Sequence, residues 1–221
     1  GVVDGAKIVL SYAAATAAFG YTAKLSWDEL RKNGFGSLVA RAVAASVLVF
    51  CFFELLPHYP VGVSEVHFIL GTTLLLLFGA APAAIGLSIG LLAQGLLFAP
   101  ADLPQYGMNV TTLLVPLFAI KALADRIIPP QTPYVDVKYS QALALSTAYQ
   151  GGVVAWVAFW ALYGAGFGAE NVASIAHFGL AYMVVIVVEP LADLAVLAIT
   201  KSLHGMRESG FFTPRLHNAS A

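Results

Sequence analysis

Residues 60–71 read P-V-G-V-S-E-V-H-F-I-L-G, a short bridge between two apolar runs. How that bridge is read decides the fold. Upstream, Ser37 to Leu56 is long and apolar enough to cross a bilayer, and Pro57 and Pro60 stop it because proline has no N–H to continue a helix. Downstream, a second apolar run begins near Val66. The bridge therefore joins two membrane helices and sets His67 at the mouth of the second. A histidine is not needed to build such a helix. Ionisable groups at the edge or inside of a bilayer are costly and usually mark an ion or substrate path, which makes His67 the first candidate site residue.

Composition sets the class. The 221 residues are 59% hydrophobic and 10% charged, with a mean hydropathy of +0.82. Soluble domains carry about 25% charged residues. The chain is therefore expected to be an all-α, polytopic membrane bundle, one domain over residues 1–221 with a polar cytoplasmic tail over 201–221. A closed barrel is excluded, since the apolar runs are continuous instead of alternating. The single cysteine, Cys51, sits in an apolar run and supports neither a disulfide framework nor a thiolate metal site. No phosphate-cradling loop and no nucleic-acid signature is present, so the chain is expected not to be an enzyme, and any ATP-driven step belongs to a partner.

Seven spans are expected. They run about Ala6–Leu25, Ser37–Leu56, Val66–Ala80, Pro82–Phe98, Asn109–Ile128, Tyr139–Tyr163 and Asn171–Thr200. The first is rich in alanine, does not read as a cleavable signal peptide, and offers a small-residue surface for close helix packing. A polar loop is expected over Ser26–Gly36. The third span is short, with its outer end below the membrane surface. In the fourth, Gly86-x-x-x-Gly90 marks close packing within the bundle. Gly151-Gly152 suggests a kink or a close contact in the sixth. The seventh is long, and Pro190 is expected to tilt or break it.

Charge placement orients the bundle. Of the eleven Lys and Arg residues, only Lys7 falls with the N-terminal end and the turns near Pro60, Pro104 and Gly166. Positive residues mark the cytoplasmic side. The N-terminus is then outside and the C-terminus inside. Asp4, Glu65, His67, Asp102 and Glu170 face out, and carboxylates without nearby cations attract cations.

Neutral imidazole binds nickel, cobalt, copper or zinc. One histidine makes no selective site, and the loop adds only Ser64, Glu65 and backbone groups, with His58 nearby. An interfacial histidine with no ligand remains the alternative. The passage from Pro60 to Leu117 resembles CbiM, the substrate-capturing membrane component of cobalt and nickel transporters of the energy-coupling factor type. The residues that carry the resemblance are Pro60, Gly62, Ser64, His67 and Gly71, then Gln94-Gly95-Leu96-Leu97-Phe98, then Gly107-Met108-Asn109.

The resemblance implies transport of Co(II) or Ni(II) with no organic cofactor, in the bacterial inner membrane. Its partners would be a transmembrane coupling subunit and cytoplasmic ATPases. It implies that the metal is held by an N-terminal Met-His and by the histidine matching His67, in a roughly square-planar nitrogen set, with Ser64 and Asn109 holding the binding loops. The chain departs from the pattern in two places. It begins Gly1-Val2-Val3-Asp4-Gly5 without a Met-His, and Thr112 stands where a second asparagine is usual. Either a few residues precede Gly1 or the metal-gripping end is lacking; that missing start and the small-residue first span motivate the alternative, a non-transporting structural or accessory subunit of a larger membrane complex.

Three further features stand out. Glu189 and Asp193 are four apart in the seventh span, hence on one helical face. They read either as a cation or proton relay or, preferably, as groups near the cytoplasmic end that contact polar atoms freed by Pro190 and touch a partner subunit. His177 reads as an interfacial histidine or an accessory ligand. Trp156, Trp160 and Tyr163 read as an interfacial aromatic belt.

Overall fold

In the computed structural model, the described residues are 5–55, 59–61, 64–66, 69–166 and 168–208. They form seven α-helices: α1 Gly5–Asn33, α2 Phe35–Leu55, α3 Gly71–Phe78, α4 Ala80–Phe98, α5 Tyr106–Ile127, α6 Tyr139–Ala165 and α7 Ala169–Glu208. Apart from these, the described residues hold two 3-10 turns, Pro100–Gln105 and Tyr134–Asp136, and one small antiparallel hairpin. Its strands are β1 Tyr59–Val61 and β2 Ser64–Val66, with Tyr59 opposite Val66 and Val61 opposite Ser64.

Among the described residues, five helical stretches are long and apolar enough to cross a membrane: Phe35–Glu54, Ala80–Phe98, Pro100–Ile127, Tyr139–Gly164 and Ala169–Arg207. Their outward faces carry large apolar side chains such as Val47, Ile89, Leu96, Leu180, Val184 and Leu191. Apolar surface on that scale suits lipid and not water.

The third expected span differs most from the sequence reading. It is a helix of eight residues, about 12 Å at 1.5 Å per residue, far short of a ~30 Å hydrocarbon core. Leu70, at φ 54° and ψ 41°, breaks the backbone before it. Gly79, at φ +89°, separates it from α4 after it. A left-handed φ strains other residues, which is why one glycine can end a run that is apolar throughout. Helix α3 packs against α2, α4, α5, α6 and α7, and its first five residues are all buried. A helix apolar on every side belongs in such a place. The core gathers around it, with Leu74, Leu87, Leu114, Leu117, Tyr149 and Phe178 almost fully buried.

The two small-residue positions in α4 set its approach to α2. A Cβ on Gly86 would lie 2.6 Å from the Ala45 Cβ and 2.8 Å from the Ala45 carbonyl carbon, and one on Gly90 would lie 2.5 Å from Val49 Cγ1. The motif thus packs the bundle internally, and α2 against α4 is the most extensive helix pair. A Cβ on Gly152 would lie 2.9 Å from the Pro116 Cβ, so α5 and α6 approach closely there, whereas Gly151 faces open space.

Three other expectations are corrected. The polar loop over Ser26–Gly36 is mostly helix: α1 continues to Asn33, and only Gly34, at φ +86°, breaks it from α2. Helix α7 is not broken at Pro190; it runs unbroken for 40 residues. A proline inside a helix removes one hydrogen bond, and packing of Pro190 in the buried interior holds the helix across the gap. Trp160 is 4% exposed and turned into the protein, so it is no part of an aromatic belt. Trp156 is half-buried and donates from Nε1 to Thr111 Oγ1 at 3.0 Å.

Candidate functional site

His67 and His58 lie outside the described residues, as do Gly1–Asp4. Ser64 opens β2, paired with Val61. Asn109 sits in the first turn of α5, half-buried, while the N-cap position of that helix belongs to Gln105. Asp102 and Glu170 are exposed, and so is His177. Among the described residues no three His, Cys, Asp or Glu side chains gather in a way that could hold a metal ion.

What the structure does bring together is the backbone just beyond His67 and the two carboxylates of α7. Glu189 is fully buried and Asp193 is 3% exposed. One Glu189 oxygen accepts from the Ile69 N–H at 3.0 Å and from the Leu70 N–H. Its other oxygen accepts from Gln150 Nε2, and Gln150 Oε1 in turn accepts from the Tyr182 hydroxyl. Asp193, one turn further along α7, accepts from the Thr73 N–H at 3.3 Å, from Thr73 Oγ1 at 2.5 Å and from Ser146 Oγ at 2.6 Å. The two side chains thus accept from the Leu70 and Thr73 N–H groups, two of those that a helix start leaves open, and from the Ile69 N–H just before it. No side chain at Leu70 caps the helix. The anchor has to come from α7.

The other end of α3 is held by a cation. Arg41 of α2 donates from one terminal nitrogen to the Phe78 carbonyl at 2.7 Å and from the other to Glu29 of α1. Its Nε donates to Ser37 Oγ at 3.1 Å. Burial raises the Glu29 carboxyl, but the Arg41 guanidinium, with Asn33 and Lys32, outweighs it and holds the group below its ordinary value. Hydrogen bonds from α7 thus hold the start of α3, and a guanidinium holds its end, where a cation suits the negative pole of the helix. Beside the Arg41 end, Leu25, Asp28, Glu29, Arg31, Lys32, Ala80, Ala81 and Lys121 line an open hollow of about 470 Å³.

Gly71 belongs to the same arrangement. A Cβ there would lie 2.7 Å from Tyr149 Cζ. The Tyr149 hydroxyl donates to the Leu113 carbonyl at 3.0 Å, so the ring is fixed against the first turn of α3.

The expected role of Glu189 and Asp193 is therefore corrected in its contacts. They touch neither groups freed by Pro190 nor the protein surface, but the backbone of residues 69–73. Spacing placed them on one face; their partners lie about 120 residues earlier in the chain, where no local pattern points. Gln150, Tyr182, Ser146 and Thr73 were missed for the same reason, although polar residues inside apolar spans are themselves a signal.

Long lipid-compatible helices around a buried half-helix, which polar side chains hold at both ends, define a multi-pass membrane protein. Its irregular backbone is sheltered inside the bundle, the one place where a membrane protein tolerates it. The family model for CbiM, described as the cobalt uptake substrate-specific transmembrane region, matches residues 1–205. The chain belongs to that family, and is thereby a transmembrane component of cobalt uptake. No curated protein and no solved structure matches it.

Proposed function

We propose that the protein is the metal-capturing component of an energy-coupling factor transporter in the bacterial inner membrane, taking Co(II) or Ni(II) from outside. The match to the cobalt-uptake family over residues 1–205 carries this reading. The five apolar stretches, with α1 and α3, make up seven crossing segments, N-terminus outside. In this reading α3 counts as the third crossing segment with its outer end below the membrane surface. Ten of the eleven basic residues then fall on the cytoplasmic side.

In this reading His67 is a metal ligand, joined by donors outside the described residues. Its imidazole binds as the neutral form. Ser64 and Asn109 help hold the loops around it. A transmembrane coupling subunit and cytoplasmic ATPases supply the motion and energy, because the chain carries no nucleotide motif. The test is Co(II) and Ni(II) binding by the full-length protein, measured by calorimetry, with His67→Ala alongside. Loss of high-affinity binding supports the assignment; unchanged affinity refutes it. Co-purification with a coupling subunit and two ATPases tests the transporter class.

A further inference from the structure

Resting on the reading of His67 as a ligand, we infer that Glu189 is a positioning residue for metal capture. It holds the backbone of Ile69 and Leu70, two and three residues after His67, and through it bears on how the histidine is presented.

The connection is short. Ile69 is two residues beyond His67 and Leu70 three, and the same Glu189 oxygen takes both N–H groups. Both residues are buried, at 4% and 7% exposure. Leu70 is left-handed, which prevents these N–H groups from joining a regular ladder. Without Glu189 two buried donors would lose their acceptor, and the chain would have to rearrange to find another. The carboxylate cannot swing away, because Gln150 of α6 grips its second oxygen and Tyr182 of α7 grips Gln150.

Asp193 divides the work. It holds Thr73, inside α3, so it supports the helix, whereas Glu189 supports the turn that leads from the histidine into the helix. Simple capping of α3 would need only a serine, threonine or aspartate at position 70. A leucine there, with the anchor on a helix far along the chain, ties the loop to α6 and α7 instead.

The pairing provides its own control. In Glu189→Gln one amide oxygen can still serve Ile69 and Leu70, but its NH2 then meets the NH2 of Gln150. The exchange Gln150→Glu with Glu189→Gln restores the match: residue 189 donates to the new carboxylate, which also accepts from Tyr182. Co(II) affinity and the visible absorption bands of bound Co(II) are measured on full-length wild type, Glu189→Gln, the exchange variant, Asp193→Asn and His67→Ala.

Glu189→Gln is expected to weaken Co(II) by about tenfold to a hundredfold, the range for groups that orient a metal ligand, and to shift the bands at saturating metal. The exchange variant should recover wild-type affinity and spectrum. Asp193→Asn should lower thermal stability with the spectrum unmoved. Wild-type binding by Glu189→Gln, with binding lost in His67→Ala, overturns the inference and leaves the ligand assignment standing. An exchange variant as weak as the single one also overturns it. If Glu189→Gln does not fold, the exchange variant decides alone: recovery supports the inference and loss overturns it. Unchanged binding by His67→Ala overturns the ligand assignment, and the inference falls with it.

Discussion

Gly71→Ala puts one carbon where the protein has no room. The added Cβ would sit 2.7–2.9 Å from three ring carbons of Tyr149, against an ordinary carbon–carbon contact of about 3.5–4.0 Å. About 1 Å must be found. Tyr149 is 1% exposed, and its hydroxyl is held at 3.0 Å by the Leu113 carbonyl, so moving the ring that far breaks the bond. Losing it costs about 1 kcal/mol, and overpacking a dense core costs about 1–3 kcal/mol more. Alanine returns at most about 1 kcal/mol through helix propensity. The balance is a loss of roughly 1–3 kcal/mol. For a chain of this size that lowers the melting temperature by about 2–4 °C per kcal/mol. Circular-dichroism melts in detergent read it directly. Tyr149→Leu removes the ring carbons concerned, so the effect of Gly71→Ala should shrink or reverse in that background. A Gly71→Ala protein that melts at or above wild type would refute the reasoning, as would an equal drop in both backgrounds.

The remaining predictions follow the same contacts. Gly86→Ala should destabilise, because its Cβ meets the Ala45 backbone, which cannot turn aside, whereas Gly151→Ala faces open space and should be neutral or slightly stabilising; paired melts separate the two. Arg41→Gln should lose the Phe78 carbonyl contact as well as the Glu29 pair, at about 1–2 kcal/mol for a partly exposed cation at a helix end. Glu29→Gln should cost less. The Glu29 contribution is also pH-dependent: its carboxyl is lowered in the folded protein, so the stability it adds is full above the ordinary value of 4.5 and is lost as pH falls through the folded value. The gap between wild type and Glu29→Gln in melts against pH should therefore close in acid; a gap that widens there contradicts the pairing. Trp156→Phe removes the donor to the buried Thr111 hydroxyl and should cost about 1 kcal/mol, read as a lower melting temperature.

Much of the fold was legible because its cues are local. The starts and ends of α2, α4, α5 and α6 fall within a few residues of the expected ones, since proline, glycine and polar clusters mark them. The packing role of Gly86 and Gly90 was legible from their spacing. The end of α1 was not. Its polar residues Trp27–Asn33 read as a loop, yet they form helix, because Glu29 finds Arg41 and Asn33 finds Glu29. Of the candidate site, the shared face of Glu189 and Asp193 was legible from their spacing but their partners were not, and His67 lies outside the described residues. What Glu189 binds, the backbone N–H of Ile69 and Leu70, is a group present at nearly every position and so has no signature in a sequence.

Residue order by itself determined the class of the protein and its family. Long apolar runs with few charges leave a chain no stable home but lipid, and that conclusion needs no tertiary contact. Only the tertiary structure decided that residues 69–79 hold a half-helix, Gly71–Phe78, between two breaks in the backbone. In a dry interior, backbone that leaves the helix must find its hydrogen bonds elsewhere. Whether it can depends on what stands opposite. For Ile69 and Leu70 that is Glu189, some 120 residues away, and folding alone puts it there.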